Sequence, residues 1–209
     1  MKFGVKTRTG LLLAALALPL SARAESPAIF KVISPIFSQL VTFSMPANFV
    51  AVFENTSGPH YTREAVLKGE TAERWSQMIT VTGEKGLSKS PGATPEKFAS
   101  SIAGGFRQVC PGSFAAKSVG ETRFGNASGY VAVVGCGNVE NHSETALIAV
   151  VAGASDYYTI QWAERSAVAD LPPVEDAKWT ERLRMLQPIG VCAIMPGEAA
   201  PYPSCIGKP

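Results

Sequence analysis

Acid–base chemistry near neutral pH falls first to histidine, and the chain has two. His60 sits in Ser57-Gly58-Pro59-His60-Tyr61, a turn sequence, and His142 in Asn141-His142-Ser143, just ahead of an apolar run. A nucleophilic triad needs such a base beside both a hydroxyl and a carboxylate. The serine motifs fall short of that. Gly153-Ala154-Ser155-Asp156-Tyr157 begins like a nucleophile elbow but lacks the second glycine, and it sits in a hairpin pattern rather than a strand-to-helix turn. In Gly125-Asn126-Ala127-Ser128-Gly129 the serine comes one place late, and Ser113-Phe114-Ala115-Ala116-Lys117 is one residue too long for S-x-x-K. Gly83-Glu84-Lys85-Gly86 lacks the spacing of a phosphate-cradling loop. No catalytic residue is assigned. His60 is kept as the one candidate base, with an exposed turn residue as its plainer reading.

Cys110, Cys136, Cys192 and Cys205 are the four cysteines. Structural zinc asks for close C-x₂₋₄-C pairs and a redox enzyme for C-x-x-C. Neither is present, so no metal and no cofactor is expected. Four cysteines allow three disulfide pairings. The favoured pairing is Cys110 with Cys136, joining a helix end to a strand end, and Cys192 with Cys205, clipping a proline-rich tail.

Asp156, Tyr157, Tyr158, Gln161, Trp162, Glu164 and Arg165 make a polar-aromatic cluster. Its plain reading is a strand with one side in the core and the other in water. Its functional reading is a partner surface, with Tyr157, Gln161 and Arg165 as contacts, since tyrosine, tryptophan and arginine dominate interface energetics.

The chain opens with Lys2, Lys6 and Arg8, then the apolar run 11–20, then Ala22-Arg23-Ala24. That is the order of a cleaved secretion signal over residues 1–24. The run is too short to span a bilayer, so no membrane anchor is expected after cleavage. Four bases and no acid leave with it. The 19 bases become 15 against 17 acids, and the net charge moves from +2 to −2. Such a surface offers no basic footprint for nucleic acid. The destination is periplasmic or secreted, where disulfides persist.

The elements that would position these residues read as follows. Residues 25–35 form an extended lead-in, and strands run over Ile36–Met45, Phe49–Phe53, Tyr61–Leu67 and Glu73–Thr82. Asn55 to Pro59 is a turn cluster. Thr94-Pro95-Glu96 starts a helix to Val109, with Thr94 as cap and Phe98, Ile102, Phe106 and Val109 on its apolar face. Strands follow at Thr122–Phe124, Gly129–Cys136, Thr145–Ala152 and Tyr157–Ala163. A second helix is expected over 172–186, with Asp170 as cap. Residues 25–190 make one α+β domain, an antiparallel sheet with two main helices packed on it, and 191–209 a disulfide-clipped tail.

Phe43-Ser44-Met45-Pro46-Ala47-Asn48-Phe49, where a strand meets proline and an aromatic residue opens the next strand, resembles the opening of the PsbP-like family. The order Ile79-Thr80-Val81, helix, strand pair, helix follows it. That family includes extrinsic photosystem proteins and a Ran-binding nuclear-import factor. The resemblance implies a PsbP-like sandwich, no shared catalytic residues, and a tendency to bind or assist another protein. The four cysteines and the tail are not part of the family pattern. The expected function is therefore a non-enzymatic, exported accessory or immunity-type factor whose partner is another envelope or secreted protein. The alternative is a periplasmic hydrolase or small-ligand binder with a pocket on the sheet face.

Overall fold

The computed structural model describes residues 28–206; the expected signal, 1–24, lies outside the described residues. The lead-in is itself a strand. β1 (Ile29–Ile36) pairs antiparallel with β2 (Gln39–Pro46). The single strand expected over Ile36–Met45 is instead broken by a reversal at Phe37, which adopts φ 54°. The reversal puts Val32 and Ile36 on the same apolar face as Val41, Phe43 and Met45. β10 (Gly190–Ala193) pairs along the other side of β2, giving a three-stranded sheet in the order β1-β2-β10.

The second sheet is antiparallel. It comprises β3 (Phe49–Ser57), β4 (His60–Leu67), β5 (Gln77–Glu84), β6 (Phe114–Phe124), β7 (Ala127–Val139), β8 (His142–Ala152) and β9 (Tyr157–Ser166). Its order is β3-β4-β5-β9-β8-β7-β6. Three boundaries correct the sequence reading. β3 continues to Ser57, paired with His60, so the turn cluster shrinks to Gly58-Pro59. β5 begins only at Gln77, because Ser76 donates through N–H and Oγ to Glu70 and closes residues 70–76 into a loop. β6 runs for 11 residues rather than three. It is an edge strand, half exposed, and therefore carries little apolar pattern to read.

α1 (Pro95–Val109) starts for the local reasons expected. Thr94 Oγ1 accepts the Lys97 N–H at 3.1 Å, Pro95 needs no donor, and Glu96 sits in the first turn. α2 (Lys178–Leu186) begins six residues later than expected. Asp170 does not cap it; Asp176 Oδ1 accepts the Lys178 N–H at 2.9 Å. Pro172-Pro173 hold the preceding segment in turns, and Trp179 Nε1 donates back to the Pro173 carbonyl at 2.8 Å. α3 (Pro203–Ile206) is a single turn carrying Cys205.

The layers follow from side-chain alternation. One face of the seven-stranded sheet, with Ile79, Val81, Leu147, Ile160 and Trp162, packs with β1–β2 and α2. Each such large side chain fully buried contributes about 1.5–3 kcal/mol. Gly83 lets the hairpin settle on β5: a Cβ there would lie 2.9 Å from Ile36 Cγ2. The other face, with Tyr130, Ala132, Val134, Ile148 and Val150, packs under Phe98, Ile102 and Phe106 of α1. The two main helices thus lie on opposite faces of the sheet. β10 runs across residue 190, where the tail was expected to begin, and Cys192 in it is bonded to Cys205 of α3.

Candidate functional site

β9 carries Tyr157, Gln161 and Arg165 at positions of one parity, so all three look toward the α1 side. They do not form one exposed surface. Tyr157 is 3% exposed and stacks on Phe98 of α1 at 5.7 Å between ring centroids. Burial pushes its phenol up from the usual range. At Tyr157 the side of β9 expected to meet water is roofed by α1. Gln161 is half-buried and donates through Nε2 to Thr159 Oγ1 at 3.0 Å. The Arg165 guanidinium lies 3.8 Å over the Trp75 ring, and its Nε donates to Glu144 Oε2 at 3.1 Å. Asp156 belongs to the scaffold: buried, it accepts from the Gly86 N–H at 2.7 Å, Ser155 Oγ at 3.0 Å and Tyr158 OH at 3.1 Å.

α1 covers β6, β7 and β8 and leaves β3, β4 and β5 bare. The register carries two rows across the bare part onto β9: Asn55-Thr62-Thr82-Thr159 and Phe53-Glu64-Thr80-Gln161. Thr82 and Thr159 hydroxyls meet at 2.7 Å. Burial pushes the Glu64 carboxyl up from the usual carboxylate range. β3 ends the sheet, hydrogen-bonded on one side only. It opens with the uncharged run Phe49-Val50-Ala51-Val52-Phe53, of which Val50, Val52 and Phe53 are exposed. A register shift between Ala51 and Phe53 marks a bulge. A free edge of this kind is a template for another strand.

His60 lies on the same side, at the start of β4. Its Nδ1 is 2.6 Å from Glu84 Oε2, and its side chain is 64% exposed. Among the described residues no hydroxyl or thiol is hydrogen-bonded to it. A histidine–carboxylate pair in open water without a nucleophile supplies half a triad. Cys110 is bonded to Cys136, linking the end of α1 to β7, and Cys192 to Cys205. Among the described residues no cluster of three His, Cys, Asp or Glu side chains is placed to hold a metal, and no helix is long and apolar enough to cross a membrane.

A cleft of about 370 Å³ opens between the C-terminal half of α1 and the β7–β8 hairpin, lined by Ile102, Gly105, Phe106, Val109, Val139 and Glu144. Val109, expected in the buried stripe of the helix, faces this cleft and is 67% exposed. His142 stands beside Glu144: its Nε2 is buried, makes no hydrogen bond, and lies 3.5 Å from Glu144 Oε2. Sequence reasoning missed Glu144, Trp75, Glu64 and the β3 edge. Only the edge left a trace, in its uncharged apolar run.

No family model matches the chain, and no curated protein matches it. Solved structures similar to it include a protein from Bacteroides thetaiotaomicron, 12% identical over 83% of this chain and 51% of that one, at a TM-score of 0.43. The chain thus spans about half the length of that protein. The solution structure of a cyanobacterial PsbP from Synechocystis sp. is 10% identical over 71% of this chain and 86% of that one, at a TM-score of 0.42. A point mutant of the protein Mog1 is 9% identical over 73% and 84%, at a TM-score of 0.43.

Proposed function

We propose that this chain is an exported, non-enzymatic binding factor that docks an extended segment of another envelope or secreted protein along β3. The observation that carries the reading is the edge itself: a strand that opens with an uncharged run, paired on one side only, with Val50, Val52 and Phe53 in solvent. Adding a strand there would satisfy the free backbone groups of β3, while alternate side chains of the guest would meet these apolar ones. The half-face beside the edge, with Thr62, Glu64, Thr80 and Gln161, would supply polar contacts. Two disulfides support an oxidising compartment. A PsbP-like sandwich is the fold family we propose, on the strength of a central antiparallel sheet with α1 on one face and α2 on the other. The hydrolase alternative draws no support from His60, which pairs with Glu84 in solvent.

The test is capture of a partner from the native envelope fraction by tagged protein, run beside a Val50→Lys, Phe53→Lys variant. Lysine on an edge strand blocks pairing. The reading expects one stoichiometric partner, lost from the variant. A partner that the variant retains, or a bait that recovers nothing, would overturn it. A dimer of the chain itself, dissolved by the same lysines, would reassign the edge to a second copy and equally overturn the reading.

A further inference from the structure

We infer that the cleft at the C-terminal end of α1 binds a compact apolar molecule carrying a protonated amine. Gly104 and Gly105 sit inside α1, where glycine is the poorest helix former after proline. Neither has a positive φ, and a Cβ at either would meet nothing within 4 Å. No internal contact therefore requires glycine, and alanine would suit the helix better. At Gly105 the missing side chain leaves open space on the cleft wall, which suits a guest approaching the helix backbone closely.

Ile102, Phe106, Val109 and Val139 offer an apolar body site, and about 370 Å³ lies at the small end of ligand cavities. The charged residue of the lining is Glu144. Its Oε2 accepts from Arg165 Nε, whereas its Oε1 makes no hydrogen bond to the described residues. The Arg165 guanidinium is already committed to Glu144, to the Glu73 carbonyl and to the Trp75 face. His142 Nε2 is shut away from solvent. The cleft thus presents a free acceptor and no free cation among its lining residues. A donor head complements this arrangement; an anionic head would find no free donor among the lining side chains.

The site is separate from the proposed edge: β3 and β8 have β4, β5 and β9 between them. The experiment is a titration of isotopically labelled protein followed by amide chemical shifts. The probes are phenethylamine and phenylpropionate, similar in size and opposite in charge. The amine is expected to give saturable shifts at Ile102, Gly105, Val139 and Glu144, with the carboxylate at least about tenfold weaker. Glu144→Gln should weaken the amine by about tenfold, the loss of one charge-assisted hydrogen bond. Gly105→Leu should abolish the shifts while raising Tm, since leucine fills open space and favours helix. That variant keeps the inference testable if Glu144→Gln disturbs Arg165. Equal binding of both probes, shifts that do not saturate, or unchanged binding in Gly105→Leu would overturn the inference.

Discussion

On the helix side of the seven-stranded sheet, β6–β7–β8 and β3–β4–β5 share one pleat but carry different side chains. Under α1 the strands present Tyr130, Ala132, Val134, Ile148 and Val150. Beyond it they present Thr62, Glu64, Thr80 and Thr82. An amphipathic helix covers what is apolar, so α1 settles on the first half and the second stays open. The open half is therefore specified by its own residues. Threonine suits a strand without demanding a cover, and the register lines it up in rows.

The comparison sharpens into stability differences. Ile148→Ala, under α1 and fully buried, should cost about 2–5 kcal/mol by denaturant melt. A loss under 1 kcal/mol would mean that α1 is not the lid of a packed core. Replacing Cys110 and Cys136 together by serine should cost about 2–4 kcal/mol. Thr94→Ala removes the cap of the covering helix and should cost about 1 kcal/mol. Thr62→Ala, on the open half, should stay within about 0.5 kcal/mol; a loss of 2 kcal/mol would place a cover over the bare rows.

The smallest effect lies away from both halves, in the tail. Glu198 accepts from Ser204 Oγ and N–H and from the Met195 N–H. The hydroxyl and amide of Ser204 hold its carboxyl below the usual carboxylate range. A carboxyl lowered by folding contributes order above its unfolded pKa, and that order is lost as pH falls through the lowered folded value. The Ser204 amide proton should therefore titrate with a midpoint below that of free glutamate, about 4.3. A midpoint at or above that value would contradict the clip.

Much of the scaffold was legible. α1 could be bounded because a cap, a proline and an acid fall in sequence at its start. β8 and β9 could be paired because a long apolar run, a turn and an alternating run follow one another. What stayed hidden depended on distant neighbours. β1 looked like a lead-in because its pattern makes sense only once β2 folds back on it. β6 looked short because an edge strand need not alternate. Tyr157 was read as exposed because nothing in its own strand announces that Phe98 will stack on it. Arg165 stood out by type, but its partners Glu144 and Trp75 lie on other elements, and neither carries a motif.

The most direct measurement is amide hydrogen exchange of residues 49–57, on the free protein and on its complex with the captured partner. The β3 amides are expected to exchange readily in the free protein and to become protected in the complex, while those of α1 change little. Protection confined to α1 or to the β7–β8 hairpin, with β3 unaltered, would contradict docking along β3.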